Sequence, residues 1–261
     1  MHREHRVPTP LGPIHAVEWL PTGTRPHQAP IVLLHDSLGS VALWRSFPAA
    51  LAEAANRRVI AYDRLGFGRS APRHETLTPA FVADESRQGF EPLHGHLVRG
   101  PFVLMGHSVG GGMAVHIAAD RPRECLALVT ESAQAFAEDL TLQSIAQAKA
   151  DFADPMQFER LVKHHGDKAR WVLDAWTGTW LSPAFAAWTL VDVLPRVQCP
   201  TLVLHGEFDE YGSSAHPDLI AARVAGPAQR VLLPGAHHVP HREDEADIVR
   251  RVVGFLHGLG L

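Results

Sequence analysis

The sequence predicts an α/β protein with a doubly wound, mostly parallel sheet flanked by helices, and three observations carry the prediction. Short apolar runs alternate with helix-length segments along most of the chain. Several of the runs are unbroken Val/Leu/Ile stretches without alternation, as strands buried on both faces require. The segments between them are long enough to return a parallel strand to the same edge. A length of 261 residues suits one such domain, or one domain with a modest insertion.

Taken in order, the expected strands begin with Ile14–Leu20 and Ile31–His35, followed by a helix over Ser46–Ala55 and a strand over Val59–Tyr62. Thr78 and Pro79 open a further helix, a capping hydroxyl followed by proline at the first helical position. The strand Phe102–Met105 runs into a helix over Val109–Ala119, and Leu126–Thr130 is the next strand. After an interruption come the strand Thr201–His205, the helix Ala215–Val224, the strand Arg230–Leu233 and the helix Glu243–Leu256. The interruption divides the chain into a core from residues 1–133 and 197–261 and a helical cap, or lid, over 134–196. That stretch has no convincing strand and holds Trp171, Trp176, Trp180 and Trp188. Leu173, Trp176 and Trp180 fall at i, i+3 and i+7, one face of a helix. Such a face packs on the sheet, roofs a pocket, or does both, which makes Trp176 and Trp180 the pocket candidates.

Composition narrows the function. Apolar residues make up 46% and charged residues 20%, enough for a packed core and too little charge for a disordered chain. The net charge of −4 speaks against a nucleic-acid partner. No apolar run approaches the ~18 residues of a membrane span, and the first residues lack the greasy stretch of a signal peptide, so a cytoplasmic protein with no membrane partner is expected. Cys125 and Cys199 each start an apolar run and read as buried thiols. The eighteen histidines are scattered without metal-ligand spacing, so no metal and no cofactor are expected. The expected partner is a small-molecule substrate; a homodimer is compatible with the sequence.

The strongest chemical signal is Gly106-His107-Ser108-Val109-Gly110, placed between a predicted strand and a predicted helix. A serine lifted clear of the sheet needs a tight, strained turn, and glycines two residues to either side remove the clashes that turn would create. The following helix aims its N-terminus at the reacting centre. Serine needs a base, and the base an orienting acid. Carboxylates follow the strand Thr201–His205 as Glu207, Asp209 and Glu210, and imidazoles follow the strand ending at Leu233 as His237, His238 and His241. Glu131, after an earlier strand, is a further candidate acid. All leave the C-terminal ends of strands, where doubly wound sheets place their sites.

With these motifs the chain resembles the α/β-hydrolase family over essentially its whole length. The Ser108 elbow, the turn Asp63-Arg64-Leu65-Gly66-Phe67-Gly68-Arg69-Ser70, the segment holding Asp209 and the final His238-Val239-Pro240 carry the resemblance together. It implies the α/β-hydrolase fold, Ser108 as nucleophile, His238 as base and then acid, and Asp209 as the group orienting His238. His237 stands where the family pattern has glycine and remains the alternative histidine. The segment His35-Asp36-Ser37-Leu38-Gly39 looks like the family's H-G-x-x-G loop, which implies an oxyanion hole from the Ser37 and Val109 amides. Asp36 replaces the usual glycine and is expected to turn away from the hole or make a structural hydrogen bond. Asp63 and its glycines are expected to shape a turn.

The serine implies acyl transfer to water, with a small carboxylic ester, thioester or lactone as substrate. The loop followed by Trp44 is similar to bacterial enol-lactonases, whereas the Gly66–Ser70 segment leans towards C–C bond hydrolases of ring-fission products. C–C hydrolysis is therefore the alternative, with an acyltransferase on the same triad behind it.

Overall fold

A computed structural model describes residues 1–23 and 28–261. The chain opens with the antiparallel pair β1 (His2–Val7) and β2 (Ile14–Trp19), then β3 (Ile31–Leu34), α1 (Phe47–Ala55) and β4 (Val59–Tyr62). An irregular helical stretch follows, with α2 (Phe81–Glu85) and α3 (Glu91–Leu93) each running into a π-helical turn. Then come β5 (Phe102–His107), α4 (Val109–Asp120) and β6 (Cys125–Glu131). Three helices, α5 (Asp139–Asp151), α6 (Pro155–His165) and α7 (Ala169–Trp180), precede β7 (Thr201–Gly206). The chain closes with α8 (Ala215–Arg223), β8 (Ala228–Leu233), α9 (Pro240–Glu243) and α10 (Glu245–Gly258).

One eight-stranded sheet results, in the order β1-β2-β4-β3-β5-β6-β7-β8. From β4 to β8 all neighbours are parallel. The strand period of two sends alternate side chains to opposite faces. Val32, Leu34 and Leu104 enter the core on one face, while Ile31, Leu33, Val103 and Met105 enter the core on the other. Each such side chain contributes roughly 1.5–3 kcal/mol on burial, which is why these strands contain no polar positions before their C-terminal ends. Because the strands run the same way, the loops after β3, β5, β6, β7 and β8 gather at one edge.

The stretch between β6 and β7 is helical as expected, save for a single bridge between Phe136 and Thr189. Leu161, Ala169, Val172 and Leu173 from α6 and α7 form a small core of their own around Phe67. Three side chains tie these helices to the sheet loops, one of them Trp171, whose Nε1 donates to the Glu75 carbonyl (3.1 Å). Lys168 Nζ donates to the carbonyls of Phe67, Gly68 and Ser70 at 3.2, 2.7 and 2.6 Å. His165 accepts from the Gly68 amide at Nδ1 (2.9 Å) and donates from Nε2 to the Leu38 carbonyl (3.0 Å).

Three features depart from the sequence-based expectation. β1 was not expected at all: only Val7 on it is buried, and its Arg3, Glu4, His5 and Arg6 make a charged edge strand with no apolar pattern. The helix expected from Thr78-Pro79 starts instead at Phe81, and Thr78 accepts from the Phe81 amide through its carbonyl rather than capping with its hydroxyl. The last expected helix is broken at Asp244, whose side chain caps the Asp247 amide and starts α10 afresh. Asp63 is a turn-former, as expected, accepting from the amides of Val41 (2.6 Å) and Arg69 (2.8 Å) and from His15 Nδ1 (2.8 Å). Cys125 and Cys199 are buried free thiols. Among the described residues no helix is long and apolar enough to cross a membrane.

Candidate active site

Ser108 sits between the last residue of β5 and the first of α4 with φ 57° and ψ −128°, a left-handed backbone that costs a side-chain-bearing residue free energy. The surroundings hold it there. A Cβ on Gly106 would run into the Gly110 carbonyl, and one on Gly110 would run into the Leu34 carbonyl, so both positions must be glycine for the turn to close. The Ser108 amide donates to the Glu131 carbonyl (2.9 Å), fastening the turn to β6.

The hydroxyl raised by this turn meets an imidazole. Ser108 Oγ lies 3.1 Å from His238 Nε2, and His238 Nδ1 lies 2.8 Å from Asp209 Oδ1. Donation from Nδ1 to the carboxylate leaves Nε2 unprotonated and able to accept the serine proton. Asp209 Oδ1 also accepts from the Tyr211 amide (2.8 Å), which fixes the carboxylate. Burial alone would raise the Asp209 carboxyl, but the hydrogen bond and charge of His238, with help from His205, hold it below its ordinary value. Burial alone would lower the His238 imidazole; the Asp209 hydrogen bond and the charges of Asp209, Asp36 and Glu210 outweigh it and raise it above the ordinary histidine value.

Of the other candidates, Glu210 lines the same pocket as Ser108 and accepts from the His238 amide (3.2 Å), and the rest lie elsewhere. His237 is exposed, and its amide donates to Glu243 (3.0 Å). Glu207 accepts from the Gly235 amide (2.9 Å). Glu131 is fully buried and holds His241 rather than His238, accepting from the His241 amide at 2.9 Å and facing its Nδ1 at 2.6 Å. Burial would raise Glu131, yet the charge and hydrogen bonds of His241 and the charge of His107 bring it below the carboxylate norm. His107, Glu131 and His241 also form the one group among the described residues whose ligating atoms could converge on a metal ion. Each is already engaged within the protein, His107 Nε2 donating to the His238 carbonyl at 2.8 Å.

Ser108 opens onto a cavity of about 150 Å³. Its walls include Ser37, Leu38, Gln134, Ile145 and Tyr211, and both pocket candidates, Trp176 and Trp180. Val109, at the first position of α4, has no carbonyl partner for its amide within the helix, and Ser37 has no backbone partner among the described residues. The two amides on which an oxyanion hole would rest are thus uncommitted. A wider hollow of about 960 Å³ beside Met1, Glu18 and His96 does not include Ser108.

Asp36 is among the residues lining the cavity, with its Oδ1 against Gly39, and its charge acts on His238. Gln134 escaped sequence reasoning altogether. It is 3% exposed, with Oε1 3.2 Å from Ser108 Oγ, so the single serine proton has two acceptors at nearly equal range. Nothing in the local pattern around Gln134 announces this; only its position just beyond β6 hints at the site edge.

Residues 31–251 match a family model described as the alpha/beta hydrolase family. Among curated proteins the chain is 34% identical over 90 residues to protein phosphatase methylesterase 1 of Bos taurus, a match covering 34% of this chain and 23% of that protein. It is 27% identical over 198 residues to the human serine hydrolase BPHL, covering 69% of this chain and 63% of that one. The chain thus spans about a quarter of the methylesterase and less than two thirds of the serine hydrolase. Among solved structures, the proline iminopeptidase of Mycobacterium smegmatis superposes with TM-score 0.74 at 21% identity, covering 98% of both chains. The carboxylesterase CesB of Bacillus subtilis does so with TM-score 0.74 at 22% identity, covering 99% of this chain and 92% of that one. At these identities the structures attest the fold.

Proposed function

This chain belongs to the alpha/beta hydrolase family, and within that family we propose that it is a serine hydrolase of small carboxylic esters, thioesters or lactones working through an acyl-enzyme. The observation that carries the proposal is the line Ser108 Oγ, His238, Asp209, at 3.1 and 2.8 Å, opening onto a cavity of about 150 Å³.

In this mechanism His238 Nε2 takes the hydroxyl proton as Ser108 Oγ attacks the substrate carbonyl carbon. Asp209 balances the imidazolium that forms. The Val109 and Ser37 amides receive the developing oxyanion, an interaction strongest in the transition state. Collapse of the tetrahedral intermediate expels the alcohol or thiol, which takes its proton from His238 and leaves the acyl group on Ser108. Water then attacks by the same route, with His238 as base again. Residues 134–196 serve as a cap: Thr141, Ile145, Trp176 and Trp180 all come from it and line the cavity.

The test is hydrolysis of an activated aryl ester by the purified protein and by Ser108→Ala. A pre-steady-state burst of about one phenol per chain, lost with a fall of at least about 10³-fold in kcat in the variant, is the expected result. A variant within a few-fold of the native rate would overturn the proposal.

A further inference from the structure

We propose that Cys125 and Cys199 form an oxidation site, at which a small hydroperoxide converts the two thiols into a reversible disulfide that locks the start of β6 to the lead-in of β7. The site is independent of the acyl-transfer chemistry above. It lies at the first residue of β6, whereas the Ser108 turn is fastened to the last, Glu131.

The chain has two cysteines in all, and the fold puts them in contact. They are 74 positions apart, yet their Sγ atoms lie 3.7 Å from each other. Both are free, and both belong to the same apolar core. The strand register explains the approach. Leu128 of β6 stands opposite Thr201 of β7, so Cys199 lies one position beyond the residue abreast of Cys125. A diagonal of that kind spans roughly 6 Å between Cα atoms, inside the range a disulfide bridges. Among the described residues no histidine or carboxylate joins the pair in a metal-ligating group. Packing alone asks for no sulfur here, since alanine or valine also fills a core; two sulfurs in contact add a reaction those residues lack.

The two thiols differ. Hydrogen bonding with Cys199, together with burial, pushes the Cys125 thiol well above its ordinary value, while the hydrogen bond from Cys125 holds the Cys199 thiol below it. Cys199 reacts first, because the thiolate is the nucleophile. Its Sγ attacks one peroxide oxygen and the O–O bond breaks. The departing hydroxide takes up the proton that Cys199 released, giving one water. Cys125 Sγ then attacks the sulfur of the resulting sulfenic acid; the S–S bond forms, the S–O bond breaks, and hydroxide leaves with the Cys125 proton as a second water. Each sulfur is oxidised by one electron and the peroxide is reduced by two. At 3% and 5% exposure the cysteines are screened from bulky reagents, but hydrogen peroxide is little larger than water. The new bond closes a ring that contains all of residues 134–196. Closing so long a loop takes conformational freedom from the unfolded chain and so favours the folded one.

The test treats the purified protein with hydrogen peroxide, with glutathione in a parallel tube as a reactive standard. Thiols are alkylated in denaturant with and without dithiothreitol, peptides are mapped by mass, and the urea midpoint is measured before and after. The expected results are a cross-linked peptide joining Cys125 to Cys199 within one chain, recovery of both thiols with dithiothreitol, and a midpoint raised by roughly 1 M. Cys125→Ala treated in the same way is expected to show no rise. Both cysteines still free when the glutathione is fully oxidised overturns the proposal. So does stable addition of oxygen at either cysteine without a cross-link, or a disulfide between two chains. A midpoint unchanged or lowered in the disulfide form overturns the lock, and an equal rise in Cys125→Ala assigns the effect to other oxidised residues and overturns it too. Peptide maps and midpoint of the native protein need no variant, so a Cys125→Ala chain that fails to fold leaves the proposal open to refutation.

Discussion

His107 donates from Nε2 to the carbonyl oxygen of His238 across 2.8 Å, so the residue before the candidate nucleophile holds the backbone of the candidate base. The two are 131 positions apart in the chain. Burial pulls the His107 imidazole down to about 4, so it is neutral at ordinary pH and its single proton is available for this bond.

Acid should therefore loosen the structure before the carboxylates titrate. The folded value of about 4 lies below the ordinary histidine value of 6.5, so the unfolded chain binds more protons between them. Stability from this group is complete above about pH 6.5 and declines as pH falls towards 4. Urea midpoints at pH 7, 5.5 and 4.5 are expected to fall steadily, and to fall less in His107→Gln. A flat native profile would contradict the burial argument.

Removing the charge behind His238 should disable the site without dismantling it. Asp209→Asn leaves a group of the same shape but favours the wrong imidazole tautomer, and a loss of about 10³–10⁴ in kcat is expected with KM little changed. Steady-state kinetics on an aryl ester checks this; a loss confined to KM would assign Asp209 to binding.

The acid limb of the rate profile should lie above the ordinary histidine range. His238 must be neutral to accept the serine proton, and its value is raised despite its burial by Asp209, Asp36 and Glu210. Glu210→Gln removes one negative charge that favours the imidazolium, so the limb is expected to move to lower pH. A limb unmoved or shifted upward would show that Glu210 does not face the imidazole.

Glu131 should matter for folding more than for chemistry. Glu131→Leu strands a buried His241 and is expected to cost about 3–5 kcal/mol, read from denaturant midpoints. Glu131→Gln keeps an acceptor for the His241 amide and should cost less. Equal losses in both would mean that the hydrogen bonds to His241 carry none of the stability.

Much of this molecule could be read from its residues because the deciding physics is local. Ile31–Leu34 and Val59–Tyr62 declare themselves by lacking any polar position, and the Ser108 turn does so by its glycine spacing. Chain order narrowed the acid and the base to two short segments, and the family resemblance chose Asp209 and His238 within them; the fold brings His238 within hydrogen-bond range of both Asp209 and Ser108. β1 was hidden because an edge strand stays polar, and Thr78 misled because its carbonyl did the work expected of its hydroxyl. Gln134 and the tie from His107 to His238 depend on contacts between distant segments, for which no pattern along the chain exists.

The bonds of His165 and Lys168 have a mechanical outcome. His165 grips Gly68 with one ring nitrogen and Leu38 with the other, and Leu38 is the immediate neighbour of Ser37. Lys168 rivets the start of α7 to the same turn. An outward displacement of α6 and α7 would therefore either break these bonds or carry the loop after β3 with it.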